Sequence, residues 1–123
     1  MRKIKIMVRN VSVYAELFRT KTARAIEDTL PLEAAIDEWG DEFYFEIPVE
    51  MSLDETATAK VKVGDLGYWP PGNAFAIFFG PTPISSGSDP VAASDVNIVG
   101  RILGDATVLR QVRGARKIRI ERA

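Results

Sequence analysis

The stretch Gly64-Asp-Leu-Gly-Tyr-Trp-Pro-Pro-Gly-Asn-Ala-Phe-Ala-Ile-Phe-Phe-Gly-Pro-Thr-Pro83 separates two kinds of backbone within twenty residues. Its first part, Gly67 to Asn73, holds two glycines and two prolines and predicts irregular chain. Its second part, Ala74 to Phe79, is almost wholly apolar and too short for a buried helix, so it predicts a central strand covered on both faces. Pro81 to Pro90 then follows as a long Ser-, Pro- and Gly-rich loop.

Working outward, most of the chain alternates with a period of two. Ile4 and Ile6 alternate with Lys3 and Lys5, Val8 keeps the period beyond Met7, and Val11, Val13, Ala15 and Leu17 alternate again beyond Arg9-Asn10, which predicts a hairpin. Thr20 or Thr22 caps a short helix over about Ala23–Thr29, ended by Pro31. Leu32 to Trp39 fits either a helical stripe or a strand. The turn Trp39-Gly40-Asp41 before alternating Phe43, Phe45 and Ile47 tips it toward strand. Ser52 to Thr58 reads as a polar loop and Ala59 to Val63 as a short strand closed by Gly64-Asp65. Val96, Ile98 and Ile102 form a strand interrupted by Gly100. Asp105 caps a second helix over Ala106–Val112 with Val108, Leu109 and Val112 inward, Gly114 ends it, and Lys117–Arg122 is the last strand. Seven or eight strands with two short helices and no βαβ rhythm predict a closed antiparallel barrel, since closure removes exposed strand edges.

The 123 residues fit one domain, residues 1–123, with 46% hydrophobic and 27% charged side chains. Histidine and cysteine are both absent. A serine–histidine triad, a cysteine nucleophile, a histidine-ligated zinc and a disulfide framework are therefore impossible within this chain. Sixteen bases against seventeen acids leave a net charge of -1, which is not the footprint of a general nucleic-acid binder. The charges segregate: every charged residue from Ala25 to Ala59 is acidic, while Arg110, Arg113, Arg116, Lys117, Arg119 and Arg122 crowd the C-terminal end. Complementary surfaces of one domain explain this, as does an acidic face that selects a cationic partner. No apolar run reaches the ~20 residues needed to span a bilayer. Met1-Arg-Lys-Ile-Lys-Ile6 reads as a strand and not as a signal peptide, so a cytoplasmic location is expected. Gly64, Gly67 and Gly72 have neither the Walker nor the dinucleotide spacing, and no cofactor is expected.

The Gly64–Pro83 block resembles short prokaryotic cyclophilin-like proteins, a family first catalogued as a domain of unknown function. Trp39-Gly-Asp-Glu-Phe-Tyr-Phe45 and Val96-Asn-Ile-Val-Gly-Arg-Ile102 are similar to that family's acidic–aromatic hairpin and its late strand, so the resemblance runs over nearly the whole chain. It implies eight antiparallel strands closed into a cylinder, with two helices capping the ends. True cyclophilins are distantly similar, in Phe78-Phe79 before a Thr–Pro loop and in Val99-Gly-Arg-Ile102. In them an arginine on the barrel face polarises a prolyl amide beside a histidine. Here the corresponding segment, Leu32 to Ile47, carries no base, and the chain has no histidine. The resemblance thus implies the fold without a recognisable isomerase pair.

The candidate site residues are few. Tyr68 and Trp69 either floor a groove or plug a barrel end. Glu42, Tyr44 and Glu46 share a strand face, either as a surface ladder or as a groove wall in which a carboxylate beside a ring has a raised pKa. Asp37, Glu38, Asp41 and Glu42 surround one turn but match no known metal loop, and no metal is expected. Asn97 and Arg101 fall opposite an inward Val96 and Ile98 set, where Arg101 either binds a carboxylate or makes a salt bridge. The function expected is binding of a small molecule or peptide in a groove walled by Tyr44, Tyr68, Trp69 and Phe79, with Glu42 as polar anchor. The alternatives are a weak prolyl isomerase using Arg101 and an interaction subunit of a larger metabolic enzyme. A protein partner fits the last; nucleic acid and membrane fit none of the three.

Overall fold

The alternation at the N-terminus folds as it reads. In the computed structural model, which describes residues 2–123, β1 (Arg2–Val8) pairs antiparallel with β2 (Val11–Leu17), and Ile4, Ile6, Val8, Val13, Ala15 and Leu17 all point into one core. The turn at Arg9-Asn10 connects them. The helix α1 (Lys21–Glu27) starts at Thr20, whose hydroxyl accepts from Ala23 N at 3.1 Å, and it buries Ala23 and Ile26. Strands β3 (Leu32–Ala35), β4 (Asp37–Glu38), β5 (Glu42–Glu46), β6 (Thr58–Lys60), β7 (Asp65–Trp69), β8 (Ala74–Phe78), β9 (Val91–Leu103) and β10 (Lys117–Arg122) follow. Among the described residues no helix is long and apolar enough to cross a membrane.

All pairings are antiparallel, along the path β3-β10-β1-β2-β9-β7-β8-β5-β4, with β6 added on β9. The expectation of eight strands in a closed cylinder needs correction. There are ten strands among the described residues, and the hydrogen-bonded path has two ends, β3 and β4. These ends are consecutive in the chain, separated by Ile36 alone. One extended segment therefore begins as the partner of β10 and finishes as the partner of β5, so the chain itself joins the two edges where no ladder does.

The expected second helix, Ala106–Val112, is a 3-10 helix, and its buried residues explain why. Ala106, Leu109 and Val112 face the core at a spacing of three, which matches three residues per turn better than 3.6. Asp105 caps it as expected, accepting from Thr107 N at 2.9 Å. Irregular backbone from Gly67 was also expected, yet Gly67 to Trp69 completes β7, and only Pro70–Gly72 forms a 3-10 turn.

Strand β8 is buried along its whole length. Phe75 and Ile77 enter the main core, while Ala76 and Phe78 belong to a second cluster with Val61, Ala92 and Val96 on the outer face of the sheet. Burying each such large side chain is worth about 1.5–3 kcal/mol, so covering both faces is a main source of stability here.

Strand β9 runs unbroken through Gly100. A Cβ at Gly100 would collide with the Glu16 carbonyl, so glycine lets β9 press against β2 and does not interrupt it. The irregularity lies one residue earlier. Leu66 pairs with Gly100 but Gly67 pairs with Ile98, leaving Val99 as an extra residue. This bulge reverses the facing expected for the N-terminal half of β9. Val96 and Ile98 pack in the outer cluster, Asn97 turns inward and is fully buried, and Arg101 beyond the bulge is exposed. Asn97 uses both ends of its amide. Its Nδ2 donates to Thr22 Oγ1 (3.2 Å) and to the Ser52 carbonyl (2.9 Å), and its Oδ1 accepts from Asp54 N (2.8 Å).

Two substitutions on one strand check the bulge. Asn97→Ala leaves the Asp54 amide and Ser52 carbonyl without their partner and is expected to cost about 2–4 kcal/mol in urea unfolding. Arg101→Ala, on the exposed side, is expected to stay within about 1 kcal/mol. Equal costs at both positions would mean that strict alternation holds through Val99.

Candidate functional site

Alternation along β5 sends Phe43 and Phe45 into the main core and Glu42 and Tyr44 to the other face. The same register sets Glu42 beside Phe78 and Tyr44 beside Ala76 on β8. Trp39 arrives from the preceding turn, its backbone N–H donating to the Glu42 carbonyl at 3.0 Å. Trp69, the last residue of β7, closes the opposite wall. Its indole Nε1 donates to Ser94 Oγ on β9 at 2.7 Å, and its ring meets Tyr44 edge-on at 6.4 Å between centroids. Gly72 packs under that indole, where an added Cβ would stand 3.0 Å from the ring. The third wall is β9, where Ala92, Ala93 and Val96 are small enough to leave space.

Trp39, Glu42, Tyr44, Trp69, Ala92, Ala93 and Val96 thus enclose a pocket of about 260 Å³ on the outer face of the sheet. The Glu42 side chain is its one carboxylate. Glu42 is only 8% exposed, no donor among the described residues hydrogen-bonds its carboxyl, and its oxygens open onto the pocket and are not sealed in the core. Desolvation by the surrounding apolar side chains raises its pKa from 4.5 to about 8. Near neutral pH this carboxyl is mostly protonated, able to donate a hydrogen bond, or to ionise if a positive charge arrives.

The acids beside it are treated differently. Asp41 pairs with Arg110 (2.8 Å) and Arg113 (3.3 Å), and Glu38 pairs with Arg113 (3.4 Å) and accepts from Gly114 N. The basic C-terminal region therefore neutralises Glu38 and the buried Asp41 and holds the turn's conformation while leaving Glu42 alone. Asp37 is exposed. Among the described residues no three carboxylates converge closely enough to hold a metal ion.

Of the six residues expected to form a groove, the structure brings Glu42, Tyr44 and Trp69 together and separates the other three. Tyr68 is fully buried, its hydroxyl donating to the Val49 carbonyl (2.6 Å) and accepting from Met51 N (3.2 Å). Of the two placements open for it, the plug is the one observed. Phe79 is likewise fully buried, its ring tilted 55° against Phe43 with centroids 4.7 Å apart. Arg101 lies on the sheet's outer face opposite Glu16 and Asp65, four residues along β7 from Trp69, or about 13 Å of strand. Trp39, Ala92, Ala93 and Val96 escaped the sequence reading. Trp39 has the sequence signature of a turn residue, and the small β9 residues carry no chemical signal until the strand's irregular pairing with β7 and β6 sets their facing.

A family model described as cyclophilin-like matches residues 2–121. The chain belongs to the cyclophilin-like family. Among solved structures, this cyclophilin-like chain is similar to the hypothetical protein AF2241 from Archaeoglobus fulgidus, with a TM-score of 0.81 and 35% identity over 99% of this chain and 95% of that one. It is similar in fold to McbB, whose structure was solved in complex with tryptophan, with a TM-score of 0.73 and 16% identity. That match covers 97% of this chain but 44% of McbB. No curated protein matches the cyclophilin-like chain.

The isolation of Glu42 makes a pH prediction. The folded state holds a proton on Glu42 that the unfolded chain releases near pH 4.5. Its contribution is complete below pH 4.5, declines as pH rises toward 8, and levels off above that. Glu42→Gln keeps the shape and removes the titration. Thermal unfolding of both proteins at pH 5.5, 7 and 8.5 is expected to show the variant gaining on the wild type as pH rises, by up to about 1.4 kcal/mol per pH unit. A constant difference across that range would mean that Glu42 is not desolvated.

Proposed function

We propose that this protein binds a small organic molecule in the outer-face pocket, with Trp39, Tyr44 and Trp69 as apolar walls and Glu42 as polar anchor. The observation that carries this reading is the Glu42 carboxyl: nearly buried, without a protein partner, and part of the pocket lining. Structural carboxylates in this fold have partners, as Asp41 and Glu38 do with Arg110 and Arg113. A carboxyl so largely desolvated, with only the pocket opening to hydrate it, gains from a partner that enters with a ligand. The two indoles and the phenol supply the flat apolar contact typical of small-molecule sites.

An isomerase built on Arg101 gains no support from this geometry, because Arg101 is not among the pocket residues and faces Glu16 and Asp65 instead.

A fragment screen followed by indole and backbone NMR shifts tests the reading. Ligands are expected to perturb the Trp39 and Trp69 indole signals together with the amides of 92–96. Trp69→Ala removes one wall and is expected to weaken them at least tenfold while the fold survives, since Trp69 is only half-buried. Hits that map elsewhere, or that bind the variant equally well, overturn it.

A further inference from the structure

We propose that the ligand of this pocket is a small organic cation, an alkyl- or arylammonium, held against Trp39, Tyr44 and Trp69 with its positive charge paired to the Glu42 carboxylate. This rests on the binding role proposed above and names the chemical class that the site selects.

Three observations point to a cation and not to a neutral or anionic ligand. The pocket walls combine two indoles and a phenol, whose ring faces attract positive charge. The one ionisable carboxyl in the lining has no protein partner; a neutral ligand pairs only with its protonated form and an anionic one is repelled once it ionises, whereas a cation pairs with the carboxylate. Finally, among the described residues no base on the surrounding strands completes it. On β5 the same face continues to Tyr44 and the exposed Glu46, and on β4 Asp37 stands opposite Tyr44. Strand β8 contributes Ala76 and Phe78, and β7 contributes Gly67 and Trp69. Further along β7, Asp65 faces Arg101, away from the pocket. The nearby part of β9 offers Ala92, Ala93, Ser94, Asp95 and Val96. Lys60 of β6 lines a separate depression beside residues 86–91. Arg110 and Arg113 are engaged by Asp41 and Glu38.

The pairing couples binding to a proton. The empty pocket favours protonated Glu42, and a cation requires the carboxylate, so each cation bound displaces one proton when the pH is below about 8. Affinity for a permanent cation should therefore fall as pH drops below that value and stay level above it. A soluble cationic metabolite bearing an amine would meet this requirement, as would an amine on a peptide side chain small enough for 260 Å³.

Calorimetry with three probes of similar ring size, benzyltrimethylammonium, benzyl alcohol and benzoate, tests the inference on the wild-type protein at pH 8.5, with indole NMR shifts locating each probe. The cation is expected to bind at least tenfold tighter than the alcohol, and benzoate weakest. From pH 8 to 6 the affinity for benzyltrimethylammonium, which has no proton of its own to lose, should fall by about tenfold per unit, with protons released to buffer. Glu42→Gln should abolish both the preference and the pH dependence while still binding benzyl alcohol. Equal or tighter binding of the alcohol or benzoate at the Trp39 and Trp69 indoles overturns the cation and leaves the pocket as a binding site. A cation preference that ignores pH overturns Glu42 as its partner. No indole shift with any probe overturns the binding role itself.

Discussion

Strand β8 is apolar on both faces, and the rest of the structure is arranged around covering it. A single curved sheet wraps its inner face, where Phe75 and Ile77 join the main core. The outer face, with Ala76 and Phe78, needs a second cover, and β6, Val96, Tyr44 and Trp69 provide it. Such a doubly buried strand usually belongs to a layered α/β protein with helices outside. Here short strands and aromatic side chains do that work, and they do not close completely over the end nearest Glu42. The pocket is the remainder of that incomplete cover, which is why its lining is mostly apolar and why a carboxyl placed there loses so much solvation.

The charge segregation along the chain acquires a specific meaning from this geometry. Acids cluster around the Trp39–Asp41 turn, and the bases of the C-terminal region fold back onto two of them. The pair of Glu38 with Arg113 is partly exposed and adds little to stability, whereas Asp41 is as buried as Glu42 and is held by two arginines. Their effect is selective neutralisation: Asp41 and Glu38 are matched, Glu42 is not. The main core under the sheet, by contrast, is packed with side chains. Tyr68 and Phe79 fill it, and Asn97 closes its end by tying α1 and the 52–54 loop to β9.

Much of the architecture was legible beforehand. The hairpin at Arg9-Asn10, the helix capped by Thr20, the fully buried Ala74–Phe78 strand and the long 81–90 loop follow from patterns that span only a few residues. The Glu42 and Tyr44 pairing on one strand face was equally visible, because alternation is local. Tyr68 against Trp69 was not. They are neighbours with similar chemistry, and which of them enters the core depends on the register of β7 against β8 and β9.

Composition and local periodicity were enough to establish a mainly β chain and to exclude every mechanism that needs histidine or cysteine. They also singled out an acidic–aromatic hairpin as the place to look. Three facts lay beyond them: the edges of the sheet meeting through Ile36, the 3-10 geometry of Ala106–Val112, and the extra residue at Val99 that turns Asn97 inward and Arg101 away. The first and third depend on pairing between residues far apart in the chain, and the second on which residues of that short helix the core receives. A single inserted residue reverses the facing of every residue on one side of it, and nothing within that strand announces where the partner will require it.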